Sequence, residues 1–466
     1  MKKKHLVIVG VIILSAIVIL GLYQTFALSG DITKDTSGYH NVTITDGTTV
    51  TVPAGSTKTV YYKLTNTNKG IVKYGIGYSG TNITVEYFND TQDPVTGTVD
   101  YGKSKYIKLF VQNSGTTSST ATLSTVLGYE KGGDLIVPTG VTLVTKAMYD
   151  TTLIQYITVD NYTPDTTFKN NGISYEYDTT NDLMKDIDGN IRYYGANPNN
   201  YIYFNCDDYS KQSSSTCETW RIIGFFGDKI KIMKNEYIRG TTLIAQYPYN
   251  STNSNDWTTS SLMKLLNPNF SGTDGSLYWN RANGTCTSNF TESCNFISTG
   301  LKGGKTKQMI VNATWNIGGL SNSSIYPDQA YTSEKSATTQ NYVALPSASD
   351  YGYAADLNLC KQQLNNYSDS TCTSNNWMRP IMGYYNKSSE YETRLLNKSS
   401  TTTNTTFIVA ADGFVDTMNF TYDEVYATTN KEVVPALYLS GNVVEVGDPT
   451  TARGSINTPF EINIFS

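Results

Sequence analysis

From Val42 onward, short β-branched and aromatic runs alternate with turn residues: Val42–Thr45, Thr49–Val52, Thr59–Leu64, Val72–Tyr78, Ile83–Phe88, Tyr106–Val111 and Ala121–Tyr129. Breakers such as Asp46-Gly47, Pro53-Ala54-Gly55 and Asn113-Ser114-Gly115 separate them, and no helical period intervenes. That spacing predicts an antiparallel sandwich over residues 32–140. Within Tyr106-Ile-Lys-Leu-Phe-Val111, alternation sends Ile107 and Leu109 to the face opposite Lys108, as a half-buried strand requires. The pattern is immunoglobulin-like, although the cysteine pair and tryptophan of antibody domains are missing from this stretch. A joint follows at Gly132-Gly133, Pro138 and Gly140, then a helix-compatible stretch from Val141 to Leu153 and a polar run, Asp160–Asn171. Residues 141–171 therefore read as a linker with a short helix.

Strand signals return beyond it, at Tyr201–Phe204, Trp220–Phe226, Lys229–Met233, Phe407–Ala410 and Val433–Leu439. Gly227-Asp228 is a two-residue hairpin turn between the second and third. Two helices are predicted among them. Thr259–Leu266 starts behind hydroxyl caps and stops before Pro268, and Thr306–Asn316 ends at Gly318-Gly319. Residues 172–466 are thus an α+β domain with long loops.

At the other end, Met1-Lys-Lys-Lys-His5 precedes Leu6–Leu22, a 17-residue run without charge. Its length lies between a cleavable signal core and a spanning helix, so residues 1–30 read either as a signal peptide or as an N-terminal membrane anchor. Thr25-Phe26-Ala27 offers small residues for cleavage, while the basic flank fits an uncleaved anchor with its N-terminus inside. In both cases everything after the run is outside, and the membrane is a partner through this segment.

Composition sharpens that compartment. Charged residues are only 16% of the chain and tyrosines number 36, so the surface is largely polar without charge. The net charge is −5 even with Lys2, Lys3 and Lys4 in the leader, which excludes the basic footprint of nucleic-acid binding. The two histidines, His5 and His40, both precede residue 41, so no imidazole base and no His-ligated zinc belongs to the C-terminal domain. All six cysteines lie in that domain, as local pairs Cys206/Cys217, Cys286/Cys294 and Cys360/Cys372. With no CxxC spacing and an export leader, they predict three structural disulfides between neighbours, each contributing about 3 kcal/mol by restricting the unfolded chain.

Candidate chemistry is sparse. Asp186-Ile-Asp-Gly-Asn190 has oxygen ligands at alternate positions but lacks the glycine and glutamate spacing of a calcium loop, so a turn is the expectation and no metal or cofactor is predicted. Asn255-Asp-Trp257 and Tyr326-Pro-Asp328 are only fragments of a calcium-dependent sugar site. Asp412, Asp416, Asp423 and Glu424, near Phe414, Phe420 and Tyr422, are the acids from which a glycosidase pair would come, yet no nucleophile-and-base motif marks them as catalytic. What stands out is a density of rings and amides in loops: Tyr247, Tyr249, Trp257, Tyr342, Tyr351, Tyr353, Trp377, Tyr384 and Tyr385. Such side chains give rigid contact area and stack on sugars, and from them Trp257, Trp377, Tyr384 and Tyr385 are the candidate ligand-binding residues. Trp220, Trp279 and Trp315 are expected in the core.

The stretch Asp186–Asn205 (DIDGNIRYYGANPNNYIYFN), with Ser213–Cys217, Trp220–Gly224, Leu262–Pro268, Leu277–Asn280, Asn312–Trp315, Pro346–Ala354 (PSASDYGYA) and Pro435–Leu439, resembles a family of uncharacterised exported domains of Firmicutes and related gut bacteria. The likeness spans residues 180–460. It implies a C-type-lectin-like fold, similar to that of formylglycine-generating sulfatase-modifying enzymes, and no particular activity. The chain departs from the family pattern at Val434, where a basic residue is usual before Pro435, and at Met378-Arg-Pro380. The expectation is a multidomain cell-surface protein: anchor or signal helix, immunoglobulin-like sandwich, and a lectin-like head that binds a protein or glycan without catalysis. A secreted hydrolase and a structural envelope or pilus-like component are the alternatives.

Overall fold

The computed structural model describes residues 27–32, 48–66, 71–88, 94–128, 134–145, 147–148, 152–238, 246–272, 274–284, 294–386, 389–419, 421–446 and 452–464. These divide between Asp150 and Thr151 into two units. The apolar run Leu6–Leu22, the run Val42–Thr45, Cys286 and Phe420 lie outside the described residues. Among the described residues no helix is long and apolar enough to cross a membrane.

The first unit consists of β1 (Ala27–Ile32), β2 (Thr48–Val52), β3 (Thr57–Asn66), β4 (Val72–Ser79), β5 (Ile83–Phe88), β6 (Thr96–Val99), β7 (Ser104–Asn113), β8 (Ser119–Gly128), β9 (Thr142–Leu143) and β10 (Ala147–Met148). One sheet runs β1-β3-β7-β5-β10 and the other β2-β8-β4-β6, with β9 added to β4. Side chains at alternate positions face a shared core: Tyr62 and Leu64 with Ile107 and Leu109 from one sheet, Val72, Tyr74 and Ile76 with Ala121 and Leu123 from the other. Each large apolar side chain buried this way contributes roughly 1.5–3 kcal/mol. The Tyr62 hydroxyl, carried inside with its ring, is satisfied by Thr125 Oγ1 at 2.8 Å.

The helix expected over Val141–Leu153 is not formed; β9 and β10 occupy its first half. Gly75 and Gly77 explain this. Inward-facing Tyr74 and Ile76 flank them, and an added Cβ at Gly77 would stand 2.4 Å from Val141 Cγ1. The bare backbone there admits the returning chain, which then pairs Leu143 with Gly77. Helix begins only at Leu153, behind the cap Thr152.

In the second unit, one antiparallel sheet collects β11 (Thr166–Asn170), β12 (Ile173–Asp178), β13 (Leu183–Lys185), β14 (Ile191–Tyr193), β16 (Glu218–Phe226) and β17 (Lys229–Lys234), with β15 (Tyr201–Phe204) also on β16. It is completed by Ala436–Ser440, which lies between β17 and Val343–Ala344. The hairpin at Gly227-Asp228 forms as expected: Phe226 faces Lys229, and Gly227 takes φ +60°. Gly224, at a register shift in β16, lets β14 cross closely; a Cβ there would meet Ile191 O at 2.5 Å. A second sheet assembles Gln246–Tyr247, Lys431–Glu432, Ser389–Lys398, Thr406–Val409 and Val415–Asp416, with Gly383–Asn386 hairpinned onto Ser389–Lys398.

Ser261–Leu266 is helical as its caps predict, with Ser260 Oγ accepting from Met263 N. The second expected helix survives only as Lys305–Met309. Ala313–Asn316 instead pairs antiparallel with Thr338–Asn341, burying Trp315, whose Nε1 donates to Asn341 O at 2.9 Å. Two disulfides form between neighbours as expected, Cys206–Cys217 and Cys360–Cys372. Cys294 is also disulfide-bonded. Such bonds suit an oxidising environment.

Candidate functional site

The resemblance motifs converge on a buried ionic network rather than on an open site. In the turn Asp186–Asn190, Asp186 Oδ1 accepts from the backbone N–H of Asp188 and Asn190, each at 3.0 Å, and Oδ2 accepts from Arg192 Nε at 2.7 Å. The carboxylate is thereby committed to holding the turn and the arginine. Arg192, on β14, also donates to Asp350 Oδ1 at 2.9 Å, and Asp350 Oδ2 accepts from Lys231 on β17 at 2.6 Å. Phe226, Tyr353 and Tyr331 enclose the guanidinium, with ring centroids 4.6, 4.7 and 5.2 Å away. Asp350 opens the helix Ala348–Tyr353 through a capping box with Ser347. Burial alone would raise its carboxyl, but Lys231 and Arg192 overcome burial and hold it at about 2.

Beside this network lies a cavity of about 210 Å³ lined in part by Thr314, Asn316, Glu334 and Ser349. Glu334 accepts from Ser349 N at 3.0 Å, Ser349 Oγ at 2.5 Å and Asn397 Nδ2 at 3.0 Å, while burial raises its carboxyl. Paired charges and satisfied acceptors of this kind define packing and register.

The larger opening is a groove of about 490 Å³. Its wall is built by separated stretches: Ala196, Asn197 and Tyr201 around β15; Arg221 from β16; Asn235–Tyr237 after β17; and Trp377, Pro380, Ile381, Tyr384 and Tyr391. Tyr237 and Tyr391 lie with ring centroids 5.5 Å apart, and Tyr391 and Tyr384 lie 5.9 Å apart, each pair inclined by 30°. The strand hairpin Gly383–Asn386/Ser389–Lys398 places Tyr384 directly opposite Tyr391. Tyr384 is 37% exposed, whereas Trp377 is 2% exposed and anchored by Nε1 donating to Tyr193 O at 3.0 Å. Arg221, 3% exposed, has Tyr201 at 3.7 Å and Trp377 at 4.7 Å from its guanidinium carbon. Burial pulls this guanidinium down to about 10, against the opposing influence of Tyr201.

Of the predicted ligand residues, Trp377 and Tyr384 are brought together in this groove. Tyr385 lies in the same strand, Gly383–Asn386, and its side chain is outside the described residues. Trp257 is elsewhere: it is 1% exposed, and its Nε1 donates to Asn341 Oδ1 at 2.9 Å inside the core. The adjoining Asn255 fixes that loop by donating to the carbonyls of Ser399, Thr402 and Thr405, which accounts for a tryptophan in polar sequence turning inward. Tyr247, Tyr249, Tyr351 and Tyr353 are likewise core residues. Tyr201, Arg221, Tyr237 and Tyr391 were not singled out by sequence, because each sits in or beside a strand and the stretches that form the groove are far apart along the chain.

The tail acids occupy separate settings. Asp416 Oδ2 accepts from Ser323 Oγ at 2.7 Å, Asp423 Oδ2 accepts from Thr421 Oγ1 at 2.8 Å, and Asp412 is half-buried with its carboxyl raised by burial. Asp423 and Glu424 are exposed. Among the described residues no group of three His, Cys, Asp or Glu side chains is arranged to hold a metal ion. No family model, curated protein or solved structure matches the chain.

Proposed function

We propose that this chain is a non-catalytic surface-display protein in which the N-terminal apolar run anchors or exports the chain, the β-sandwich acts as an immunoglobulin-like spacer, and a lectin-like head binds a glycan. The observation that carries this reading is the groove's composition. A row of inclined tyrosines, Tyr237, Tyr391 and Tyr384, stands with Trp377 beside the amides Asn197 and Asn235. Aromatic surfaces with fixed geometry receive the apolar faces of sugar rings at low entropy cost, and amides serve their hydroxyls. The disulfides support residence outside the cytosol, on the cell surface or released from it.

A hydrolase acting on polysaccharide in the same groove is less well supported, since its mechanism uses two facing carboxylates and Glu236 is the carboxylate among the described lining residues. Turnover of a polysaccharide that disappears in Glu236→Gln would displace the binding reading. The direct test is a glycan array probed with the full chain and with its Tyr384→Ala and Tyr391→Ala variants. Saturable binding to a set of glycans, reduced tenfold or more in both variants, is expected. Binding unchanged by both substitutions, or no binding to any glycan, defeats the assignment.

A further inference from the structure

We propose that the sugar received by the groove is acidic, its carboxylate lodging against Arg221 between the rings of Tyr201 and Trp377. This rests on the glycan-binding reading and adds the chemical class of the ligand.

Other buried or partly buried cations of this molecule have oxygen partners of their own. Arg192 has Asp186 and Asp350, Lys231 has Asp350, Lys234 has Glu218, Lys431 has Glu392 and Arg453 has Glu461. Arg394 has no carboxylate within salt-bridge distance among the described residues but feels Glu432 and is closed in by oxygens of Tyr247, Thr406, Tyr426 and Thr429. Arg221, like Arg394, bonds neutral oxygens, but it forms part of the groove wall. Its hydrogen bonds go to Asn200 Oδ1 at 2.5 Å from Nε and Pro198 O at 3.4 Å from Nη2, with the Tyr201 side chain as a further neutral partner. Among the described residues no carboxylate lies within salt-bridge distance of it, although it is 3% exposed and forms part of the groove wall.

Removing a cation from water without a counter-charge costs several kcal/mol, and that cost is recovered when an anion arrives in the same low-dielectric setting. The guanidinium still carries its proton at neutral pH. Its plane is fixed by Tyr201 on one contact and Trp377 on another, so the fork is preorganised to accept a planar carboxylate on two parallel N–H bonds. Glu236, the opposing charge in the wall, lies 3.5 Å from Lys234, which it shares with Glu218 at 2.6 Å, and is 55% exposed, which places it at the solvent side. The rings around Arg221 then match a ligand with a carboxylate attached to an otherwise apolar-faced ring, which describes a uronic or sialic acid residue.

The test compares matched pairs on the full chain by calorimetry: tetragalacturonate with its methyl ester, and sialyllactose with lactose. The acid of at least one pair is expected to bind tenfold or more tightly than its neutral partner, with affinity falling as sodium chloride rises. Arg221→Gln is expected to remove the difference between that acid and its neutral partner. Arg221→Lys keeps the charge and loses the fork; it is expected to weaken the acid at least fivefold, and it carries the test should the glutamine variant fail to fold. Equal binding of acid and neutral partners overturns the carboxylate assignment and leaves the glycan reading intact. Binding of polyglutamate with neither pair bound overturns both, in favour of an acidic protein. An acid preference that survives in both Arg221 variants overturns the role of Arg221.

Discussion

Asp350→Asn removes one charge from the junction of three elements, β14, β17 and the helix Ala348–Tyr353. The shape is nearly conserved, so the effect is electrostatic. In the native chain Asp350 is 1% exposed and serves both Arg192 and Lys231. After the substitution Arg192 keeps Asp186, but Lys231, 5% exposed, faces an amide. Stranding one partner of a buried pair costs about 3–5 kcal/mol. All five tryptophans, Trp220, Trp257, Trp279, Trp315 and Trp377, belong to the second unit, so tryptophan fluorescence in urea follows that unit alone within the full chain. With a slope of about 3 kcal/mol per molar for a unit of this size, the midpoint is expected to fall by about 1–2 M. Adding Lys231→Met to Asp350→Asn removes the stranded charge and is expected to recover more than half of the loss. Acid titration supplies a second readout. The folded carboxyl, at about 2, lies below its unfolded value near 3.9, so its contribution is complete above about pH 5 and is lost as pH falls toward 2. That loss, about 2–3 kcal/mol in the native chain, is expected to be absent in Asp350→Asn. A midpoint shift below about 0.3 M, or no recovery in the double variant, would refute the reasoning.

Other outcomes follow from the same geometry. Trp257→Ala is expected to cost about 3–5 kcal/mol as a core cavity, whereas Tyr384→Ala stays within about 1 kcal/mol and loses ligand; urea melts and binding on the same samples separate them. Non-reducing peptide mapping is expected to recover Cys206 with Cys217 and Cys360 with Cys372, and replacing the second pair by alanine is expected to lower stability by about 3 kcal/mol. Glu334 has the opposite sign to Asp350, because burial raises its folded value above the unfolded one and its ionisation opposes folding as pH rises. Glu334→Gln is therefore expected to gain stability relative to the native chain between pH 4 and pH 8, which parallel urea melts at the two pH values measure.

Much of the architecture was legible along the chain because local chemistry and tertiary context agree. β15 is matched residue for residue by the Tyr201–Phe204 run, and β16 and β17 are joined by a Gly-Asp turn that has few alternatives. The short cysteine spacings permit closure before distant segments meet, so neighbour pairing was readable as well. Ala313–Asn316 was not, because Thr306–Asn316 is compatible with helix until Thr338–Asn341 arrives to pair with it. The groove was half legible. Trp377 and Tyr384 lie in amide-rich sequence, but Arg221 has the sequence appearance of an ordinary strand cation; only the assembled fold reveals that no carboxylate among the described residues lies within salt-bridge distance of it. Trp257 failed as a ligand residue because ring density in a loop says nothing about the direction in which Asn255 holds that loop.

The strand Ala436–Ser440, seated between β17 and Val343–Ala344, joins residues separated by some two hundred positions in the middle of one sheet. Until that late segment emerges, β17 has an unfilled side and the interior stays wet. A chain made from its amino end therefore carries this sheet incomplete until those residues exist, while its closely spaced cysteines are already in place. Closure of the sheet then waits for Ala436–Ser440, so a chain cut short of it leaves β17 and Val343–Ala344 without the strand they share.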